Sequence, residues 1–147
     1  MIKKIFLLLV VVLIVMQFFG IDKTNPAIDE RKTFAAIVNP PADILKLLKD
    51  ACYDCHSNET KYPWYTNVAP LSWWIKHHVD EGREHLNFSE WVSYSQEDRA
   101  HMLHEAAEEI EEQHMPLGSY VRMHSEAALS KEDCEKLEKW LDEASHH

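Results

Sequence analysis

The sequence predicts an all-α protein in which one N-terminal transmembrane helix precedes a small domain of about four helices. The first residues form a long, almost unbroken apolar run. The later segments repeat their apolar residues at the three- and four-residue spacing of a helix that is buried on one side. No segment of useful length alternates apolar and polar residues, as a half-buried strand does.

The apolar run extends from Ile5 to Ile21 and is interrupted only by Gln17 and Gly20. A run of this length can just span the hydrocarbon core of a bilayer. A cleaved signal peptide is the alternative, but the run is long for a signal core and no typical cleavage site follows it. Because Lys3 and Lys4 are expected to stay in the cytoplasm, we expect a single-pass protein of a bacterial inner membrane that faces the periplasm.

The chain divides into three regions on this interpretation. Residues 1–21 are the membrane anchor or signal peptide, residues 22–38 are a tether, and residues 39–147 are the domain. Asn25-Pro26 and mixed charges break any regular pattern in the tether. The length of 147 residues favours a single domain.

The first two helices of the domain start at prolines, which are tolerated there because the missing N–H would have no partner. The first helix begins after Pro40-Pro41 and places its apolar residues on one side before it reaches Cys52. Residues 57–69 are predicted to form a loop rich in aromatic residues, and the second helix begins at Pro70.

The last two helices each begin with a serine followed by acidic residues, which is the pattern of an N-cap. The third runs from Ser95 to about Gln113 and stops before Pro116, and its acidic outer face is expected to be solvated. The fourth begins at Ser130. Four of its side chains are expected to face inward: Cys134, Leu137, Trp140 and Leu141.

The chain is acidic, with a formal net charge of −10, and removing the charges of Lys3 and Lys4 leaves −12. This balance argues against nucleic-acid binding, which needs stripes of Lys and Arg that face phosphates. It permits docking to a redox partner protein with a basic patch, through electrostatic steering.

One motif carries the chemistry, Cys52-Tyr53-Asp54-Cys55-His56. Two cysteines three residues apart lie on one side of a helical turn and can form thioethers to the two vinyl groups of one haem. The motif predicts one covalent haem c on Cys52 and Cys55, with His56 as the proximal iron ligand. Zinc and a redox dithiol are weaker alternatives, because the chain has no second cysteine pair and no βαβ pattern. Cys134 remains and is expected to be a small buried residue.

The iron needs a second ligand on its opposite face, and Met115, just before Pro116, is the predicted one. A thioether there would bind the iron and raise its potential, whereas packing into the core is the alternative. Met102 is expected in the core. Less favoured candidates for the ligand are His77, His78, His114 and Met123.

Further residues are possible haem contacts, because a cation can pair with a propionate and an aromatic N–H or O–H can donate to it. An ordinary surface or core role is the alternative for each. These residues are Arg83, Tyr65 and Trp74, and also Lys61, Arg122 and Tyr120.

Several strings in residues 40–143 resemble a known family. They are Cys52-x-x-Cys55-His56-Ser57-Asn58, Tyr62-Pro63-Trp64-Tyr65, His78-Val79-x-x-Gly82-Arg83, Asn87-Phe88-Ser89-x-Trp91 and Met115-Pro116. Together they resemble the small haem-binding domain family with a CxxCH motif, which often lies behind one N-terminal membrane segment. The resemblance implies covalent haem c and an exported location. The expected fold is therefore a cytochrome c-like helical domain wrapped around one haem.

The favoured function is electron transfer by a membrane-anchored, exported monohaem cytochrome, in which His56 and Met115 leave no open site on the iron. The alternative is a haem-based gas or redox sensor, or a ligand-binding protein, with an open iron face. An enzyme is not predicted. Peroxidase-like chemistry would need an open iron and a distal base such as His78 or His114, and the sequence shows no such assembled set.

Overall fold

The structure, a computed structural model, describes residues 1–146. Within this range the chain is all-helical, as predicted, with short 3-10 turns and no strand. Its eight α-helices are α1 (Ile2–Met16), α2 (Phe34–Val38), α3 (Ala42–Ala51), α4 (Tyr53–His56), α5 (Leu71–His85), α6 (Gln96–Glu111), α7 (Gly118–Val121) and α8 (Lys131–Ser145).

The predicted N-terminal transmembrane helix is wrong. Helix α1 has 15 residues, or roughly 22 Å at about 1.5 Å per residue, against a hydrocarbon core of about 30 Å. No helix within residues 1–146 is long and apolar enough to cross a membrane.

Helix α1 ends where the Gln17 side chain pairs with the backbone of Ala69. Its Nε2 donates to the Ala69 carbonyl oxygen at 2.9 Å, and the Ala69 N–H donates to its Oε1 at 3.0 Å.

The segment predicted as a tether, residues 22–38, packs against the domain. Phe34 in α2 is completely buried, and its ring lies edge-on to Phe88 and Trp91, with centroid distances of 5.1 and 4.9 Å. Thr33 caps α2, because its side-chain oxygen accepts from the backbone N–H of Ala36. This segment therefore contributes an aromatic residue to the core.

The predicted helix starts in the second half of the chain are confirmed. Ser95 and Ser130 precede α6 and α8, and each forms a capping box with the aspartate three residues later, Asp98 or Asp133. Helix α6 then packs along α8. The core that these helices share with α2 and α3 contains Phe34, Ile44, Leu48, Tyr53, Leu86, Phe88, Trp91, Leu103, Ala107, Ile110, Leu137 and Leu141, with Cys134 and Trp140 partly buried against it.

Helix α4 is a single turn that lies directly on α5 at Gly82. A Cβ atom at Gly82 would lie 2.8 Å from the carbonyl oxygen of Cys55 and 3.1 Å from its Cβ. Only glycine leaves room for this approach of backbone to helix. The contact places the second half of the cysteine motif against the last turn of α5.

We expect Gly82→Ala to lower the free energy of unfolding by about 1–3 kcal/mol, because the added methyl group meets the Cys55 backbone, which cannot swing away. Gly118→Ala is the matched control, since a Cβ there meets nothing within 4 Å. It should leave stability unchanged or raise it by less than about 1 kcal/mol. Urea unfolding followed by far-ultraviolet circular dichroism measures both changes. Equal effects of the two substitutions would show that the contact does not constrain the fold.

Candidate cofactor site

The cysteine motif spans the end of α3 and all of α4. Cys52 leaves the helical conformation, with φ −121° and ψ −37°, so the two helices are separate at this residue. The thiols of Cys52 and Cys55 are free and half-buried. Burial raises the pKa of Cys52 to about 12 and that of Cys55 to about 11. In the haem-free chain both thiols are therefore neutral near pH 7.

The imidazole of His56 is fixed by the end of α5. Its Nδ1 lies 3.1 Å from the carbonyl oxygen of Leu86, which can only accept a hydrogen bond. The proton is therefore assigned to Nδ1, and the lone pair lies on Nε2. Burial lowers the pKa of His56, while the bond to Leu86 opposes this shift. Such a bond to a backbone carbonyl is the arrangement by which proteins orient a metal-binding histidine.

A pocket of about 300 Å³ adjoins the motif, and Asp54 and Cys55 form part of its wall. Five of the six predicted haem contacts line the same pocket, namely Tyr65, Trp74, Lys61, Tyr120 and Arg122. Helix α5 supplies Leu71, Trp74, Ile75, His78 and Val79. The opposite wall comes from residues 117–124, namely Leu117, Ser119, Tyr120, Arg122, Met123 and His124.

Met115, the predicted distal ligand, lies in a different place. It lines a second cavity of about 630 Å³, together with Cys134, Ile110 and Leu129. Its backbone N–H donates to the carbonyl oxygen of Glu109 at 3.0 Å, which holds it near the end of α6. The structure does not bring Met115 to the pocket that contains Cys55.

The other candidate ligands are divided between the pocket and the solvent. His78 and Met123 line the pocket. His77 pairs with Glu81, and His114 pairs with Glu112, on exposed surfaces. Met102 packs partly buried against the core, where it was expected.

His78 has a free nitrogen lone pair, and His124 does not. The Nδ1 of His78 lies 2.8 Å from the Trp74 carbonyl oxygen, so it carries the proton and the lone pair is on Nε2. His124 uses both nitrogens, with Nδ1 at 3.1 Å from the Tyr120 carbonyl oxygen and Nε2 at 3.0 Å from the Tyr65 hydroxyl. Among the pocket histidines, His78 is the better-placed ligand.

Arg83, predicted as a haem contact, has protein partners for its guanidinium. Its Nε donates to the Ser57 carbonyl oxygen at 2.8 Å. Its Nη2 donates to Asn25 Oδ1 at 2.7 Å and to Thr60 Oγ1 at 2.9 Å. Lys61 and Arg122 are the cationic residues that line the pocket.

Sequence reasoning missed two residues of the site, Asp54 and His124. Asp54 lies between the two cysteines, and its carboxylate accepts from the Tyr120 hydroxyl at 2.8 Å. Its position inside the motif was the available signal, because its neighbour Cys55 lines the same pocket. No local pattern marks His124, since its partner Tyr65 is 59 residues away.

The two alternatives to haem, a zinc site and a redox dithiol, gain no support from the structure. Within residues 1–146, no group of three or more His, Cys, Asp and Glu side chains is placed to hold a metal ion, which a zinc site would need. Reactive dithiols have a lowered thiol pKa, whereas burial raises the pKa of both motif thiols.

The fold and the site define a class: a small helical protein with a cofactor pocket beside a CxxCH motif. A family model described as a haem-binding domain matches residues 11–143. The chain belongs to the haem-binding domain family, and haem is its cofactor. No curated protein and no solved structure matches the chain.

The residues at the site fit a haem. The pocket combines apolar and aromatic walls with the cations Lys61 and Arg122, which can pair with propionates. Of the motif, Asp54 and Cys55 line the pocket, whereas Cys52 and His56 do not. The Nε2 lone pair of His56 has the tautomer that a metal ligand needs. Gly82 keeps α4 close to α5.

The haem-free protein should react slowly with a disulfide reagent, because only the thiolate is a nucleophile. With a pKa of about 11 instead of 9.0, Cys55 has roughly 100-fold less thiolate at about pH 8. Because the raised pKa moves the deprotonation of Cys55 to higher pH, the rate of reaction with the reagent should rise about tenfold per pH unit until about pH 11. A Cys134→Ser background removes the third thiol, and the same protein in guanidinium is the reference. A folded-state rate that levels off near pH 9 would contradict the burial of these thiols.

Proposed function

We propose that the protein carries one covalent haem c, attached through Cys52 and Cys55, and that it transfers electrons. His56 is the proximal iron ligand in this proposal. A haem iron with two axial ligands exchanges single electrons without making or breaking bonds to a substrate. The protein supplies the attachment points, the orientation of the imidazole and the shielding of the pocket.

One observation carries the proposal: Cys55 lies in the wall of an apolar and aromatic pocket. The next residue in the chain, His56, has an imidazole that is oriented by its hydrogen bond to Leu86. A half-buried cysteine in the wall of a pocket is positioned for a thioether to a group bound in that pocket. The hydrogen bond from His56 Nδ1 to Leu86 then holds the ring in place and increases the basicity of Nε2.

Location and partner are part of the same proposal. A CxxCH motif is matured outside the cytoplasm in bacteria, so we place the domain in the periplasm. The net charge of −10 favours redox partner proteins that present a basic patch, because opposite charges orient the encounter.

A second candidate function is a sensor or ligand-binding protein with an open iron face. The observation that favours it is the position of Met115, which lines the second cavity and not the pocket of Cys55. If no side chain binds the second face, an external gas or peroxide can do so.

Covalent attachment is tested by Cys52→Ser and Cys55→Ser, expressed with the haem-attachment machinery. The wild-type polypeptide should retain haem after denaturation, as detected by haem staining in a gel. Each single variant should retain a haem whose pyridine haemochrome band shifts to longer wavelength, and the double variant should lose covalent haem completely. Cys134→Ser should behave as wild type. A wild-type chain that releases its haem on denaturation would remove the covalent proposal.

The distal ligand is tested by carbon monoxide. The sequence-based prediction is that Met115→Ala converts a low-spin, carbon monoxide-insensitive protein to one that binds the gas rapidly. His78→Ala and Met123→Ala are the matched variants, because these side chains line the pocket. If one of these two produces the conversion and Met115→Ala does not, that residue is the ligand. Rapid binding by the wild type would instead establish the open iron face.

A further inference from the structure

Helix α7 covers one side of the haem pocket, but none of its four residues is buried. The segment 117–124, of which α7 is part, supplies six of the residues that line the pocket. Leu117, Tyr120, Val121 and His124 are only half-buried, so buried apolar area holds this segment in part. Side-chain hydrogen bonds supply further interactions that hold it over the pocket.

The first such interaction joins Tyr120 to the cysteine motif. The Tyr120 hydroxyl donates to Asp54 Oδ2 at 2.8 Å, while Asp54 Oδ1 accepts from the backbone N–H of Lys61 at 3.1 Å. Hydrogen bonds to a carboxylate are about twice as strong as those between neutral groups. Burial and the nearby Asp54 raise the pKa of Tyr120, so its hydroxyl stays protonated and continues to donate.

The second interaction joins His124 to the loop before α5. Because His124 Nδ1 donates to the Tyr120 carbonyl oxygen, its Nε2 must accept the hydrogen bond from the Tyr65 hydroxyl. The imidazole also stacks on the Tyr120 ring, with a centroid distance of 4.0 Å. The two hydrogen bonds therefore meet at a single stacked pair of rings.

We propose that Asp54, Tyr65, Tyr120 and His124 form a clamp that holds residues 117–124 over the haem pocket and limits the access of small external ligands to the iron. The clamp residues are positioning residues. None of them is an iron ligand in the proposed function, on which this inference rests. A small, neutral haem ligand such as carbon monoxide reaches the iron when the clamp opens.

The test is Tyr120→Phe in the full chain with haem attached. The variant keeps the ring and its stacking on His124 but removes the donor to Asp54. Tyr94→Phe is the matched control. Its hydroxyl also makes one hydrogen bond, accepting from the Asn87 N–H at 3.0 Å, but it does not line the pocket.

Two readouts are used. Hydrogen exchange of the backbone N–H groups of residues 117–124, measured by mass spectrometry, should be about tenfold faster in Tyr120→Phe, as expected for the loss of one hydrogen bond to a charged group. Carbon monoxide association with the ferrous protein, measured in the background of whichever distal-ligand variant binds the gas, should become faster by a similar factor. Tyr65→Phe should change both rates in the same direction, and Tyr94→Phe should change neither.

The outcomes separate the clamp from the proposed function. Unchanged exchange in Tyr120→Phe overturns the clamp, whether or not haem is attached. Faster exchange with unchanged carbon monoxide association shows that the segment is held but does not limit access, which overturns the access proposal. A chain without covalent haem refutes the proposed function, while its hydrogen exchange still reports on the clamp.

Discussion

The contact between Cys55 and Gly82 is the constraint on which the rest of the site depends. Helix α4 is one turn of four residues, which is too short to be stable without a neighbour. Gly82 lets this turn lie on α5, and the carbonyl oxygen of Leu86, the residue that directly follows α5, accepts the hydrogen bond from His56 Nδ1. The end of α5 therefore determines both where Cys55 lies and how the imidazole is oriented.

The residues that follow the motif are tied to the domain by buried hydrogen bonds. Arg83 links α5 to Ser57 and Asn25. The backbone N–H of Asn58 donates to Ser89 Oγ, and Asn87 Nδ2 donates to Asn58 Oδ1. Bonds of a charged group are typically worth about 1.5–3 kcal/mol each. Arg83, Asn58 and Asn87 all belong to strings by which the chain resembles its family. Their visible role is to hold the chain that follows the cysteine motif.

Local signals predicted what local interactions build. The capping serines Ser95 and Ser130 fix helix starts within one turn. Contacts between residues that are distant in the sequence were not predicted. Gln17, at the end of helix α1, pairs with Ala69. Residues 22–38 pack on the domain through Phe34, which contacts Phe88 and Trp91. The sequence alone shows none of these partners.

The two sides of the pocket are held by different kinds of interaction, and this difference bears on function. The side that carries Cys55 rests on buried backbone contacts and on helix α5. The side that carries Met123 rests on α7, which has no buried residue, and on side-chain hydrogen bonds. Met115 and Met123 lie before and after α7, and of the two only Met123 lines the pocket that contains Cys55. In the proposed function the side that carries Cys55 is therefore the fixed part of the site, and the opposite side is where carrier and sensor behaviour diverge.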